Sequence, residues 1–305
     1  MIGENLENFN KVKVVILIPI HNGVEETLRC VESIYNSTYS NFDIIVIDDG
    51  SVDNSQTIIS SAFKEVKFLK GNGDLWWSGG MNEGIRYTLN EYNKNDIVLL
   101  LNNDNIIQND MIEVLVKSIE SNPNSIICSK VYIEGAEDQL LFAGGSARIR
   151  KGGLFIEGYY EADKGNFNKL KEVDWCGGMG VAIPIPIIKN IGYFDNINFP
   201  QYFGDADYMY RAKRKGIKIL YNPSSVCWND RGQTGFSVGR SKVNLKVLRN
   251  LFFNIKSNYD LKANIKFYIK YFGYIKGSSM LAVKYTTLSL SLIKKSLFYS
   301  KTKMS

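Results

Sequence analysis

Hydrophobic positions along the first 220 residues switch between two spacings. Val12–Ile20 is a nearly continuous run rich in β-branched residues, the mark of a strand buried on both faces. Val24–Tyr35 follows with apolar residues at Val24, Leu28, Val31, Ile34 and Tyr35, which share one face of a helix. The alternation then repeats. Phe42–Ile47, Val66–Leu69 and Ile97–Leu101 read as strands, and Asp53–Phe63, Gly80–Tyr92 and Asp110–Ser121 as helices. Asn122-Pro123 stops the last of these, because the residue before a proline leaves the helical region. The expectation is an α/β fold, Rossmann-like, with a mostly parallel central sheet covered by helices on both faces.

Beyond this the pattern changes. Residues 126–175 hold short apolar runs broken by glycines such as Gly144, Gly145, Gly152 and Gly153, and read as antiparallel or irregular. Residues 185–192 and 206–216 have helical spacing, and Lys218–Leu220 is a short strand. From about Val243 the chain is aliphatic and aromatic with lysines at intervals, which predicts two to four helices outside the α/β unit. The expected organisation is an α/β domain over 1–240, with one half near 1–125 and the other near 126–240, followed by a basic helical region over 241–305.

Charge sharpens that division. The chain is +6 overall, yet from Arg240 onward it carries fourteen Lys or Arg and one acid, Asp260, so the larger part is net acidic. A basic end of this kind suits an anionic surface, and no recognisable motif accompanies it that would select nucleic acid. The four cysteines, Cys30, Cys128, Cys176 and Cys227, are scattered without metal-ligand spacing and predict reduced thiols. The polar N-terminal stretch does not read as a signal peptide, and no run is long and apolar enough for an ordinary spanning helix. A cytoplasmic protein is expected, peripheral on the inner face of the plasma membrane if the basic end meets lipid. His21 is the only histidine, which excludes histidine triads and multi-histidine zinc sites. Ser51 has no partner that would make it a nucleophile.

In open α/β sheets ligands bind beyond the carboxyl ends of the strands. Those ends carry Pro19-Ile20-His21-Asn22-Gly23, Asp48-Asp49-Gly50-Ser51 and Asn102-Asn103-Asp104. Adjacent acids such as Asp48 and Asp49 repel unless a partner such as a ribose diol or a base N–H is present, and Gly50 permits a sharp turn. The alternative is a helix cap through Ser51 or Asp53. Asp104 offers a carboxylate, and Asn102 a neutral oxygen, to Mg²⁺ or Mn²⁺ holding a diphosphate leaving group, although Asn and Asp also form ordinary polar turns.

Ile18-Pro19-Ile20-His21-Asn22, Asp48-Asp49-Gly50-Ser51 and Leu101-Asn102-Asn103-Asp104 resemble the inverting glycosyltransferases of family 2, which have the GT-A fold. Gly73–Gly84, Trp175-Cys176-Gly177-Gly178-Met179-Gly180 and Phe199–Tyr208 followed by Arg211 look like the rhamnosyltransferase-like branch of that family. The motifs stand in order over about 12–240. The resemblance implies a nucleoside pocket of Pro19, His21, Asn22, Asp48, Asp49 and Gly50. Donor contacts would come from Asp74, Trp77, Gly80, Asn82 and Asn103, and a metal would sit at Asp104 with Asn102. It implies a sugar or acceptor pocket near Trp175, Gly177, Gly178 and Asp207, and Asp205 as catalytic base with Asp207 as the alternative. Two departures stand out: His21 replaces a tyrosine found in other members, and Gly204-Asp205 replaces a pair of acids.

The implied reaction is a single displacement, from dTDP-rhamnose or a UDP-sugar to a hydroxyl of a cell-surface glycan or its lipid-linked precursor. A nucleotidyltransferase is less well matched, since Val24-Glu25-Glu26 supplies no basic glycine-rich loop. A degenerate non-catalytic subunit is less well matched because Asp49, Asp104 and Asp205 are intact. In the basic end, Leu261, Ile265, Tyr268 and Ile269 share a face while Lys262, Lys266 and Lys270 recur every fourth residue. That pattern predicts an amphipathic helix at an anionic membrane surface, or else helices packed on the catalytic domain or on a second copy in a homodimer.

Overall fold

The computed structural model describes residues 12–230 and 244–301, so the polar N-terminal stretch, the expected domain end near 240 and the helix start at Val243 lie outside the described residues. The apolar runs become β1 (Val14–Ile20), β2 (Phe42–Asp48), β3 (Lys67–Lys70) and β4 (Ile97–Leu100). They pair in the order β3-β2-β1-β4, all parallel, with Val14 beside both Phe42 and Ile97. Val15, Ile16, Leu17 and Ile18 are fully buried, which explains why this strand shows no polar alternation. The helices α1 (Val24–Tyr35), α2 (Ser55–Ala62) and α3 (Trp76–Glu91) alternate with the strands, and α4 (Met111–Ser121) follows. α3 starts at Trp76, four residues before the expected Gly80, because the Trp-Trp-Ser-Gly-Gly run that reads as loop forms its first turn.

The sheet continues past β4 through a second set of strands. These are β5 (Asn105–Ile107), β6 (Ser125–Ile133), β7 (Ala136–Phe142), β10 (Lys171–Glu172), β11 (Val181–Pro184) and β12 (Lys218–Asn229), while β8 (Gly145–Arg148) and β9 (Gly153–Ile156) form a separate hairpin. β11 runs antiparallel to β4, and β6 and β12 are parallel to each other. The strand expected to end at Leu220 continues to Asn229. Pro223 interrupts its pairing, and the register with β6 shifts between Asn222 and Val226. A proline without an N–H makes one bulged strand look like the end of a short one.

Two short helices, α5 (Ile185–Ile191) and α6 (Gly204–Arg214), follow the mixed part of the sheet. The basic end forms α7 (Leu245–Phe253) and α8 (Leu261–Lys301). Gly273, at φ 70 and ψ 177, breaks α8 into two arms. A positive φ of this kind is open to glycine at little cost. The arms fold back on one another, bringing Lys284 of the second within 2.7 Å of Asn264 of the first.

Composition changes near residue 240, but packing does not divide there. Phe267, Tyr268 and Met280 belong to the same buried core as the sheet. Phe267 stacks against Phe203, with ring centroids 4.9 Å apart. Burying a side chain of that size contributes about 2–3 kcal/mol.

Candidate active site

The ends of β1 and β2 are tied together where the Asp49 amide donates to the Ile20 carbonyl (2.9 Å). The Asp49 side chain turns inward. Its Oδ1 accepts from the Gly73 amide (2.7 Å) and its Oδ2 from the amides of Leu75 (2.8 Å) and Trp76 (3.2 Å). A carboxylate taking three amides is largely satisfied. Asp49, expected against a nucleoside, instead shapes the 71–76 loop and holds Trp76 at φ 58. Among the described residues the Asp48 side chain accepts from the Ser51 amide through Oδ1 (2.8 Å) and is the less committed of the two acids. His21 is exposed, and its Nδ1 lies 2.7 Å from the Asp49 carbonyl. Asn22 braces the turn through Ser51 Oγ (2.7 Å) and the Val52 amide (2.8 Å), and Gly50 is exposed beside it. Gly80 lets α3 approach β1, since a Cβ there would lie 3.0 Å from that of Pro19. Asp74 is exposed and accepts from Trp76 Nε1 (2.7 Å).

The turn after β4 separates its three polar residues. Asp104 is buried, and its Oδ1 accepts from Asn229 Nδ2 (2.7 Å) at the end of β12. Burial pushes its carboxyl up to about 6, and the nearby acids Asp230 and Glu26 add to the rise. Glu26, Arg29, Asp104, Ile106, Glu134 and Asp230 line one small pocket. The Oδ1 of Asn102, the atom expected to meet a cation, accepts from Trp77 Nε1 (2.9 Å). Asn103 reaches back to Thr27 Oγ1 (3.2 Å) and the Gly23 carbonyl (3.5 Å), bracing the start of α1.

Trp77 joins this turn to the other half of the site. A Cβ on Gly178 would run into the Trp77 ring, so the 177–178 backbone lies directly on the indole. Only glycine permits that approach. The Trp77 amide donates to Gln201 Oε1 (3.2 Å), and its ring meets Phe194 edge-on. Asp205 stands beyond, in the first turn of α6. Its Oδ1 accepts from the Ala206 amide (2.7 Å), and the Gly178 amide also bonds the carboxyl. Its Oδ2 faces Gly177, where a Cβ would come to 3.5 Å. The side chain keeps some contact with solvent, yet protein surrounds it, and desolvation pushes it up to about 6. Burial, then Asp205 and Tyr159, raise the Tyr202 hydroxyl above its ordinary value.

Three expected pocket residues take other places. Asp207 is fully buried, and its carboxylate binds Arg211 Nε (2.9 Å), Lys270 Nζ (2.6 Å) and the Tyr271 hydroxyl (2.6 Å). So occupied, it fastens the first arm of α8 to α6, and Asp205 is the less committed of the two acids. Trp175 is buried against Gly145 and edge-on to Phe142, in the core rather than at a sugar. Asn82 closes both ends of its amide on the Phe194 backbone, at 2.8 and 3.0 Å. Asp230 is the residue that sequence reasoning missed. The polar pair Asn229-Asp230 after Val226-Cys227-Trp228 was the available signal, hidden because that strand seemed to end earlier.

The sequence profile described as Glycosyl transferase family 2 matches residues 15–178. The low-salt glycan biosynthesis hexosyltransferase Agl10 of Haloferax volcanii is 29% identical over 191 residues, covering 62% of this chain and 59% of its own. The glycosyltransferase GlyG of Streptococcus pneumoniae is 28% identical over 122 residues, 39% of each chain. This chain therefore spans between about two fifths and three fifths of the length of these relatives. Among solved structures, GalNAc-T7 with UDP, GalNAc and Mn²⁺ superposes with a TM-score of 0.59 at 13% identity, over 90% of this chain and 55% of that one. TarS of S. aureus gives 0.53 at 12% identity, over 72% and 60%. These likenesses establish the GT-A fold.

Proposed function

The chain belongs to glycosyl transferase family 2, and from that premise we propose that it moves a sugar from a nucleoside-diphosphate donor to an acceptor hydroxyl with inversion. The observation that carries the reading is Asp205. It is a carboxyl raised to about 6, with Oδ2 turned to Gly177, and it is joined through Gly178 and Trp77 to the Asn102–Asp104 turn.

An acceptor hydroxyl is a poor nucleophile at neutral pH. Asp205 Oδ2 takes its proton as the hydroxyl oxygen forms a bond to the anomeric carbon. The bond from that carbon to the donor phosphate breaks, and the nucleoside diphosphate leaves with the electron pair. A base with a pKa near 6 is ionised at pH 7 and still basic enough to accept the proton. Because Oδ1 is held by the Ala206 amide, Oδ2 has one orientation to offer. The nucleoside would lie along the β1 and β2 ends, near Pro19, His21, Asn22 and Asp48.

A divalent cation fits the Asp104 turn. Asp104 and Asp230 would hold it, since the Asp104 carboxyl is raised by burial and then by Asp230 and Glu26, and a cation relieves that. No group of three metal-ligating side chains forms among the described residues, so the donor phosphates would supply the remaining oxygens. Mg²⁺ or Mn²⁺ bound there offsets charge developing on the leaving diphosphate. The Mn²⁺ and UDP found with GalNAc-T7 support this part of the reading.

The donor is proposed to be dTDP-rhamnose or a UDP-sugar, and the acceptor a glycan or a lipid-linked glycan. No described helix is long and apolar enough to cross a membrane. The first arm of α8 spends Lys266 on Asn198 and Lys270 on Asp207. Contact with anionic lipid would therefore fall to the second arm, where Tyr274, Ile275, Leu290 and Ile293 are exposed near Lys276 and Lys294. Co-sedimentation with phosphatidylglycerol vesicles, unchanged by charge reversal at Lys276 and Lys294, would sink that assignment.

The central test is release of nucleoside diphosphate from UDP-, dTDP- and GDP-sugars with Mg²⁺ or Mn²⁺, and the anomeric configuration of the product. Asp205→Asn should lower transfer by about 10²–10⁴-fold while nucleotide binding is kept. Equal activity in that variant refutes the assignment of the base.

A further inference from the structure

Among the described residues the buried Lys130 meets Asp163 at 2.7 Å, and Lys270, partly exposed, meets the buried Asp207 at 2.6 Å. Lys284, on the second arm of α8, finds only neutral oxygens: the Asn258 carbonyl (3.0 Å) and Asn264 Oδ1 (2.7 Å). Its ammonium lies over the rings of Phe203 (5.3 Å), Tyr259 (5.2 Å) and Tyr268 (5.8 Å). Among the described residues no carboxylate ion-pairs with it. Asp260, the one acid after Arg240, instead caps α8 by accepting from the Ala263 amide (2.8 Å).

An ammonium among neutral partners is held at a cost in stability. Burial pulls its pKa down to about 7. Ring faces offset part of the cost, but a methionine would fill the same space without it. Lys284 also keeps some solvent-reachable surface, so an ion from outside has a path to it.

The surroundings point to the acceptor side of the proposed site. Phe203, one wall of the cage, directly precedes Gly204 and Asp205 in the chain. Tyr268, a second wall, meets Phe203 edge-on with ring centroids 6.1 Å apart. The cage therefore packs on the turn that opens α6, two residues before Asp205. An aromatic lining with a few fixed polar groups is the usual build of a small-molecule site.

We propose that Lys284 is an anion-recognition residue of the acceptor site, and that the acceptor carries a phosphoryl group set apart from the hydroxyl that reacts. The inference rests on the glycosyl-transfer reading for the role of Asp205. A phosphoryl group supplies the charge this cage lacks. Two of the ammonium's three donors are spent on Asn258 and Asn264, and the third is left for the incoming oxygen. The phosphoryl group could belong to a lipid carrier or to a phosphate ester within a glycan, and the two share this chemistry.

The test uses the full chain in EDTA, so that phosphate is not drawn to the Asp104 turn through a metal. Glucose 1-phosphate stands for a phosphate ester in a glycan and geranyl diphosphate for a lipid carrier, each titrated calorimetrically. At least one should bind saturably to the wild type. Lys284→Met should weaken that binding by about tenfold or more, and Lys284→Arg should hold it within about threefold. Lys284→Met should unfold at the same or a higher temperature than the wild type and bind UDP with Mn²⁺ as the wild type does, which separates loss of the anion contact from misfolding. Binding of only one probe assigns the phosphoryl group to its source. Failure of both probes to bind the wild type, or equal binding by Lys284→Met, overturns the proposal. Absence of nucleoside diphosphate release from every donor, with the probe results intact, would overturn the glycosyl-transfer reading instead.

Discussion

Replacing Asp205 by asparagine should lower transfer by about 10²–10⁴-fold and stabilise the protein, with the gain dependent on pH. In the folded protein the carboxyl is raised from 3.8 to about 6 by desolvation. The folded state therefore binds more protons than the unfolded state between those values, and stability falls as pH rises through that window. Above it, with both states ionised, the charge costs about 3 kcal/mol, at 1.36 kcal/mol for each tenfold change in proton affinity. At pH 4.5 the same linkage leaves about 1 kcal/mol. Asparagine keeps an oxygen for the Ala206 and Gly178 amides and removes the charge. Asp205→Asn should then be more stable than the wild type by about 2–3 kcal/mol at pH 8 and by about 1 kcal/mol at pH 4.5. Asp104 is raised in the same way but is present in both proteins, so it drops out of the difference. Urea denaturation of both proteins in EDTA at the two pH values measures this. An asparagine variant that gains nothing at pH 8, or gains equally at both pH values, would refute the claim that a desolvated carboxylate sits at this position.

Asp104→Ala should remove any stabilisation by Mn²⁺ in thermal melts, and in the wild type that stabilisation should weaken as pH falls through about 6, because the cation and the proton compete for one carboxylate. Asp207→Asn removes the nearest counter-charge of Arg211 and Lys270, both of which keep contact with solvent, and leaves Lys270 the more distant Asp195 (3.7 Å). It should cost about 1–3 kcal/mol in urea denaturation and speed proteolysis within 254–301. Gly178→Ala forces a Cβ onto the Trp77 ring and displaces the backbone that bonds Asp205, so kcat should fall by about 100-fold with nucleotide binding retained. If kcat instead stays within twofold, the Trp77–Gly178 contact does not position the base.

The parallel half of the fold is legible because β1, β2 and β4 are buried on both faces and the helices between them keep one apolar stripe each. The chain order of the strand-end motifs was legible for the same reason. Three things were not. Pro223 sits inside β12, so one bulged strand looked finished at Leu220 and Asp230 fell outside every expected element. Asn102 and Asp207 have the residue types a ligand site needs, but their partners, Trp77 and Lys270, are 25 and 63 residues away. Such distant pairings leave no trace in local spacing. In the basic end, Lys262, Lys266 and Lys270 recur at helical spacing as on a solvated face, yet Lys266 and Lys270 turn to the protein. Charge patterning cannot tell a lysine that meets lipid from one that meets a buried aspartate.

The bond between Asp207 and Lys270 bears on how this molecule can be recombined. The family profile stops at residue 178, ahead of both α6 and the helical hairpin. A chimera built at that edge would inherit Trp77 and Gly178 without Asp205, which the Gly178 amide holds. Exchange within residues 204–214 alone would leave Lys270 the more distant Asp195 (3.7 Å), and exchange within 261–301 alone would take Lys270 and Tyr271 from Asp207. The smallest segment that can be traded between relatives while preserving this linkage is therefore discontinuous in the chain: α6 and the hairpin must travel together.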